Sequence, residues 1–292
     1  MKYLHNRRNF ILLVLPVAVL FTIYGIYPVF SSFAYSLTNF RGMGTPDFVG
    51  LANYQRLFGD KYFFRGVGNI LKMTSLQIVI LLPVSFLLAL LINKPGVKNT
   101  VYKVVFFSPY VIPGIMSGLI WLFILDPVNG LINVTLREMG LTALAQEWIG
   151  GKSLTPYSLA VLGAWSGVGF CMVLWMTGMK GIPEDVVEAA VVDGATPSKL
   201  VRYITIPLLR ETFYIIFLFT LTGCLKTFET VYQLTGGGPN HYSETIISYM
   251  YTTTYVGQMY GYGMAIAVVE FFFAVLIAVV FLKLQRKDVD LA

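Results

Sequence analysis

Few side chains in this chain are suited to covalent or ligand chemistry, and their surroundings limit what they can do. The histidines are His5 and His241, far apart, and the cysteines, Cys171 and Cys224, both lie in apolar stretches. No CxxC, no HExxH and no disulfide framework is spelled out, so no metal site is expected. Gly151-Lys152-Ser153 has the ending of a phosphate-binding loop. The first glycine of such a loop would fall at Gln146, and no strand-like run comes before it. No phosphate-binding loop is therefore expected there. Asn133-Val134-Thr135 spells a glycosylation acceptor, a triplet that chance produces often. Glu270 stands among Val268, Val269, Phe271 and Phe272. A carboxyl there is costly and points to function by default. It could line a solute path, pair with a polar group on a partner chain, or stay protonated and bonded within its own bundle. No catalytic residue and no cofactor is expected.

The elements that must position these groups follow from composition. The chain has 292 residues, of which 56% are hydrophobic and 12% charged. The charged share is about half of that usual in soluble domains. The mean hydropathy is +0.70. Apolar runs of about 20 residues recur along the chain, which is the pattern of a polytopic helical membrane protein. Six spans are expected near 10–33, 67–92, 101–125, 155–179, 208–225 and 262–284, within a single transmembrane domain covering 1–292. The first run is longer than the roughly 7–15 residues of a signal-peptide core, so a retained helix is expected rather than a cleaved leader. Short interfacial helices are expected within 49–64 and 130–139.

Charge sets the orientation. Six spans put both termini on one side. Thirteen basic residues lie on that side: Lys2, Arg7, Arg8, Lys94, Lys98, Lys103, Lys180, Lys199, Arg202, Arg210, Lys283, Arg286 and Lys287. Seven lie on the other: Arg41, Arg56, Lys61, Arg65, Arg137, Lys152 and Lys226. The richer side, with both termini and the stretch 180–207, is therefore expected to be cytoplasmic. The net charge of +6 reflects these loops. No basic run with interleaved aromatics suggests nucleic acid.

The cytoplasmic stretch carries its own helix punctuation. Pro183 suits a first turn, and Glu184 and Asp185 complement the dipole there. Val186, Val187, Ala190 and Val191 recur at helical spacing, and Gly194 fits a left-handed stop. Thr196 is placed as an N-cap and Pro197 as N1 of a second helix, with Leu200, Val201 and Ile204 as its apolar stripe and Pro207 as its end. Two short amphipathic helices at a sharp bend are expected. They would either dock a soluble partner or lie on the headgroups.

Glu188-Ala189-Ala190, Asp193-Gly194-Ala195 and Ile204-x-Ile206-Pro207 resemble the EAA loop of permease subunits of ATP-binding-cassette importers. The spacing matches. Ile206 replaces a usual Leu, and Val201 stands where an aromatic is common. Further stretches resemble the carbohydrate branch of that family, of the maltose and glycerol-phosphate uptake type. They are Phe48-Val49-Gly50-Leu51-x-Asn53-Tyr54, Trp121 through Asp126-Pro127, Gly130-Leu131-Ile132-Asn133, and Leu234-Thr235-Gly236-Gly237-Gly238-Pro239 with Glu244-Thr245. Together they cover nearly the whole chain.

The resemblance implies an all-α fold of six transmembrane helices, the type I importer permease fold, in a bacterial inner membrane. It also implies a second, similar but different permease chain, two cytoplasmic ATPases and an extracytoplasmic solute-binding protein. The coupling residues would be Glu188, Ala189, Ala190, Asp193, Gly194, Ala195, Ile204 and Pro207. A sugar path needs aromatic faces and polar groups. Tyr110, Trp121, Trp165, Thr222, Lys226 and Glu270 are candidates by position, although each aromatic could equally be packing. The competing readings are an ion-coupled secondary transporter using Glu270, which leaves the paired short helices unexplained, and an intramembrane enzyme, for which no Ser/Lys, Asp/Asp or His-rich constellation exists.

Overall fold

The computed structural model describes residues 7–93 and 96–289. Lys2, His5 and Lys94 lie outside the described residues, as do the side chains of Arg7, Arg8, Arg286 and Lys287. Within lipid every backbone N–H and C=O must be satisfied by the chain itself, so apolar runs become helices. They do so here, and the described residues contain no strand beyond an isolated bridge between Thr38 and Phe48.

In chain order the helices are α1 (7–36), α2 (Ala52–Phe58), α3 (Lys61–Ile92), α4 (Val97–Val111), α5 (Gly114–Leu125), α6 (Leu131–Glu138) and α7 (Thr155–Lys180). They continue as α8 (Glu184–Val192), α9 (197–208), α10 (Arg210–Leu225), α11 (Glu229–Thr235), α12 (Ile246–Tyr251) and α13 (Tyr260–Val289). Four helices are long and apolar enough to cross a membrane, within α1, α3, α7 and α13. The bent pairs α4–α5 (98°) and α9–α10 (66°) bring the number to six if each is one span.

The third run is therefore two helices, and proline explains the break. Pro113 disfavours helical geometry at Ile112, which is extended (ψ 126°), and α5 starts afresh at Gly114. Proline acts differently at 28 and 207. A π-helical turn comes immediately before each, at Thr22–Ile26 and Val201–Thr205, closed by Tyr27 N–H to the Thr22 carbonyl and Ile206 N–H to the Val201 carbonyl. The wider turn accommodates the ring, and the helix continues past it. Pro207 thus does not end the second short helix, which runs on to Leu208.

The residues divide into two compact units, Met1–Lys61 with Tyr249–Leu276, and Tyr62–Ser248 with Ile277–Ala292. In the first, α1 is apolar on all sides, and none of its most apolar stretch is buried. Only its end is packed, where Phe33 meets Phe271 and Phe272 edge-on at 6.2 and 5.6 Å. The following loop is tied at its base. Asn39 and Asp47 exchange side-chain bonds, and the Asn53 amide donates to the Ser36 and Thr38 carbonyls, both at 2.8 Å.

In the second unit α3 is the central helix. Its buried positions recur every three or four residues, and several are polar: Asn69, Thr74, Gln77 and Ser85. Asn69 donates to the Tyr242 and Glu244 carbonyls, the Cys224 thiol of α10 donates to Gln77 Oε1 at 3.1 Å, and Trp175 of α7 donates to Ser85 at 3.0 Å. Such bonds are worth on the order of 0.6 kcal/mol each in a membrane bundle, so their effect is more to fix register than to supply stability. Apolar packing surrounds them, with Leu81, Ala89, Met172, Trp175, Leu209 and Ile216 in one buried cluster and Met73, Leu125, Leu159 and Val231 in another. Outside the membrane-depth packing, Asn133 organises its loop: its amide donates to Pro127 and Gln146, and its carbonyl oxygen accepts from Trp148.

Small residues set the helix separations. A Cβ on Gly169 of α7 would stand 2.0 Å from the Phe106 carbonyl oxygen of α4, while one on Gly223 would meet nothing within 4 Å. Gly169→Ala should therefore cost about 1–3 kcal/mol, and Gly223→Ala should be neutral. Thermal unfolding in detergent, or proteolytic susceptibility where unfolding is irreversible, would check the contrast.

Candidate functional site

The stretch between α7 and α10 folds as a bent pair of short helices. Pro183 is the N-cap of α8 rather than its first turn, and its carbonyl accepts the Val186 N–H at 3.2 Å. At the other end Asp193 is the C-cap, and Gly194 follows with φ +80°. Ala195 N–H bonds the Ala190 carbonyl at 2.9 Å, and Gly194 N–H bonds that of Val191 at 3.0 Å. This is the Schellman arrangement, and it gives a physical reason for the residue types. Gly194 supplies the left-handed conformation. Ala190 and Ala195 are joined by the six-residue bond, and small side chains there let the turn close. Thr196 has extended N-cap dihedrals and Pro197 is N1, but the Thr196 hydroxyl meets Ser198 Oγ at 3.3 Å instead of capping the backbone.

The inner faces of the pair turn toward the ends of α3 and α7. Ala190 and Thr205 are buried. A crevice of about 530 Å³ lies between these elements, lined by Leu90, Asn93, Met179, Ile182, Val187, Leu200 and Thr205, together with Lys180, Glu184 and Glu188. Asn93 Oδ1 is buried there without a partner. Sequence reasoning missed Asn93, whose only signal was a polar residue closing an apolar span. Val191, Val192, Tyr203 and Ile206 face outward, with Val192 86% exposed. Glu188, Ala189, Asp193 and Gly194 are exposed, and Ala195 and Ile204 are half-buried. The result is a fixed turn with an apolar outer edge.

The candidates for a solute path fall into separate groups. Tyr110 of α4 stacks on Phe170 of α7 at 4.6 Å and 14°, and Phe170 contacts Phe219 of α10 at 4.7 Å. Trp121 and Trp165 pack edge-on at 5.8 Å, and Trp121 Nε1 is buried without a partner. The Thr222 hydroxyl bonds its own helix at Leu218 and Phe219. Lys226 is the exposed C-cap residue of α10. Glu270 lies in the other unit, half-buried within α13, and no hydrogen bond or ion pair to it occurs among the described residues.

Two constellations escaped sequence reasoning. Gly114 and Gly118 of α5 receive Glu229 and Gln233 of α11, both pairs four residues apart. A Cβ on Gly114 would stand 2.6 Å from the Glu229 carboxylate, and one on Gly118 would stand 2.9 Å from Gln233 Cβ. The GxxxG spacing was the available signal. In the loop 235–245, the Glu244 carboxylate is 1% exposed. It meets His241 Nδ1 at 3.2 Å and accepts the Ser248 hydroxyl. Gly237, with φ +83°, passes so close that a Cβ would stand 2.4 Å from Glu244 Oε1. The glycine run thus wraps a buried carboxylate.

With this geometry in view, the relatives agree. The profile of the family described as binding-protein-dependent transport system inner membrane component matches residues 81–287. A probable ABC transporter permease protein, YurN of Bacillus subtilis, is 31% identical over 86% of this chain and 87% of its own. The multiple sugar-binding transport system permease protein MsmF of Streptococcus mutans is 28% identical over 98% of both. A chain from the crystal structure of a bacterial alginate ABC transporter in complex with an alginate pentasaccharide-bound periplasmic protein superposes with a TM-score of 0.82, at 22% identity, covering 96% of each chain. The similarity extends over the bent third run, the turn at Gly194 and the last helix alike, and the chain belongs to the binding-protein-dependent transport system inner membrane component family, as an inner-membrane permease.

Proposed function

We propose that this chain forms half of the path by which an ATP-driven importer moves a sugar or oligosaccharide inward, and that it performs no covalent chemistry itself. The observation that carries the coupling half of this reading is the Schellman turn at Gly194. It holds α8 and α9 as a rigid elbow whose outer edge, Val191, Val192, Tyr203 and Ile206, is apolar and exposed. Such an edge suits the groove of a cytoplasmic ATPase. Glu188, Asp193 and Gly194 sit at the elbow. Ala190, Ala195 and Ile204 shape it from within, Ala189 lies on its exposed side, and Pro207 is exposed at the far end of α9. A pull on the elbow reaches the membrane through α9, which continues through the π turn into the 66° bend before α10.

Carbohydrate as the solute class rests on relatives named for it, including an arabinooligosaccharides permease of Bacillus subtilis and a trehalose/maltose permease of Thermococcus litoralis. It also rests on the aromatic faces of Tyr110, Trp121 and Trp165, with Thr222, Lys226 and Glu270 as polar contacts. A second, similar permease chain would cover the unburied first span. An extracytoplasmic binding protein would deliver solute, and two ATPases would face the side holding both termini. Glu270, without a partner among the described residues, would meet either solute or the second permease.

Two tests separate this reading from its rivals. Proteoliposomes holding this chain and its sister permease should accumulate no radiolabelled solute on a proton or sodium gradient alone, and should do so only when the ATPase, ATP and the binding protein are added. Uptake on the gradient alone would remove the ATP-coupled reading. At the elbow, a Cβ on Gly194 would meet nothing within 4 Å. Only backbone strain opposes a side chain there, roughly 1–2 kcal/mol for an ordinary residue and less for asparagine. Gly194→Val should weaken co-purification with the ATPase about 5- to 30-fold, Gly194→Asn should largely keep it, and both should insert normally.

A further inference from the structure

The chain passes between its two units at 61/62, at 248/249 and at 276/277. Beside the first two of these crossing points, within the first unit, one carboxylate oxygen gathers two phenols. The Tyr249 hydroxyl donates to Asp60 Oδ2 at 2.5 Å and the Tyr262 hydroxyl donates to the same atom at 2.6 Å. Both rings are buried, at 8% and 3% exposure. The Arg56 guanidinium lies 4.4 Å over the Tyr262 ring, and its Nη1 meets Met259 Sδ at 3.3 Å. Asp60 directly precedes α3, and its N–H is held by the Leu57 carbonyl at 3.0 Å, so its position is fixed by the end of α2. Burial, reinforced by the Asp60 carboxylate, pushes the Tyr249 hydroxyl above its ordinary range, so it stays a donor at any physiological pH.

This arrangement exceeds what local folding requires. The segment between Tyr249 and Tyr262 contains a π turn, Thr252–Val256, and a left-handed Gln258, and so breaks the regular helix of this part of the unit. A lone α2 of seven residues has little intrinsic stability. Two charge-assisted bonds converging on one atom join these weak elements to the first turn of α13.

We propose that Asp60 is a positioning residue of the transport cycle, a clamp that keeps the end of α2, the segment 249–262 and the start of α13 together within the first unit while ATP binding reshapes the transporter. Without it the first unit would come apart at 249–262 instead of moving as a whole. The proposal rests on the ATP-coupled reading, and the experiment reports on the two separately.

Hydrogen exchange is measured on the assembled transporter in nanodiscs, at rest and trapped with ATP and vanadate. In the wild type, amides of 249–262 should be equally protected in both states. In Asp60→Ala, protection there should fall at least tenfold more in the trapped state than at rest, with a smaller change in Asp60→Asn, which keeps one acceptor oxygen. Tyr249→Phe and Tyr262→Phe, which remove one bond each without altering packing, should show the same state-dependent loss in part. Unchanged protection in Asp60→Ala overturns the clamp. So does equal loss in both states, which marks a merely structural role. Should Asp60→Ala fail to assemble, the two phenylalanine variants decide: wild-type exchange in both overturns the proposal. If the wild type does not trap vanadate at all, the ATP-coupled reading fails instead.

Discussion

In hydrocarbon an unpaired backbone group has no water to turn to, and this constraint decides where the chain can leave its helices and what it must supply when it does. Each departure here has its own compensation. At Pro28 and Pro207 the helix widens into a π turn and continues. At Pro113 it stops and restarts at 98°. At Gly194, in the loop between spans, two of the four carbonyls that a helix end leaves open are taken by the Schellman pair. In the loops the work falls to buried side chains: Asn133 for 127–148, and Asn69 and Glu244 for 240–248. Other buried polar residues lie within regular helix and link one element to the next. They gather around α3, whose rungs Asn69, Gln77 and Ser85 reach the outer loop, α10 and α7 in turn.

That arrangement has a mechanical consequence. The elbow of α8 and α9 rests on the ends of α3 and α7, both long and continuous, while α9 leads into α10 through a π turn and a bend. Leu209, at the bend, is 2% exposed and packs in the same cluster as Trp175 and Ile216. Under the proposed coupling, a load on the elbow would reach α10 through the π turn and the bend at Leu209. Packed interiors are bistable rather than continuously deformable, so such a load would favour discrete repositioning of α10. The aromatic contact of Phe219 with Phe170 lies further along the same helix.

Much of this was legible in the sequence, for reasons that differ by element. The apolar runs gave the spans because lipid leaves helix as the economical solution. The elbow was legible because Pro197 and Gly194 restrict the backbone directly: their φ preferences act locally and need no tertiary partner. What tertiary context decides was harder to read. Pro207 looked like a helix end, since the relief offered by the preceding π turn is invisible in residue types. The third run looked continuous because Pro113 alone does not say whether neighbours will rescue the helix. The structural roles of Asn93, Asp60 and Glu244 could not be read from residue types. Their roles depend on groups brought from distant positions, such as Tyr249 and Tyr262 to Asp60. The candidates for a solute path remain expectations of position, because stacking among Tyr110, Phe170 and Phe219 serves packing and ligand contact equally well.

Four described carboxylates are buried or half-buried, and they are satisfied to different degrees: Asp126 accepts the Val128 and Asn129 N–H groups. Glu244 has a hydroxyl and an imidazole, and Asp60 has two phenols, all from this chain. Glu270 has none among the described residues, although it stands at membrane depth where an unpaired acid is most costly. Trp121 Nε1 and Ser117 Oγ are likewise without a partner, and both are enclosed within this chain. Burial has already stripped water from these groups, so each carries a desolvation cost that a partner would remove, whereas the loop carboxylates have theirs offset by bonds within the chain.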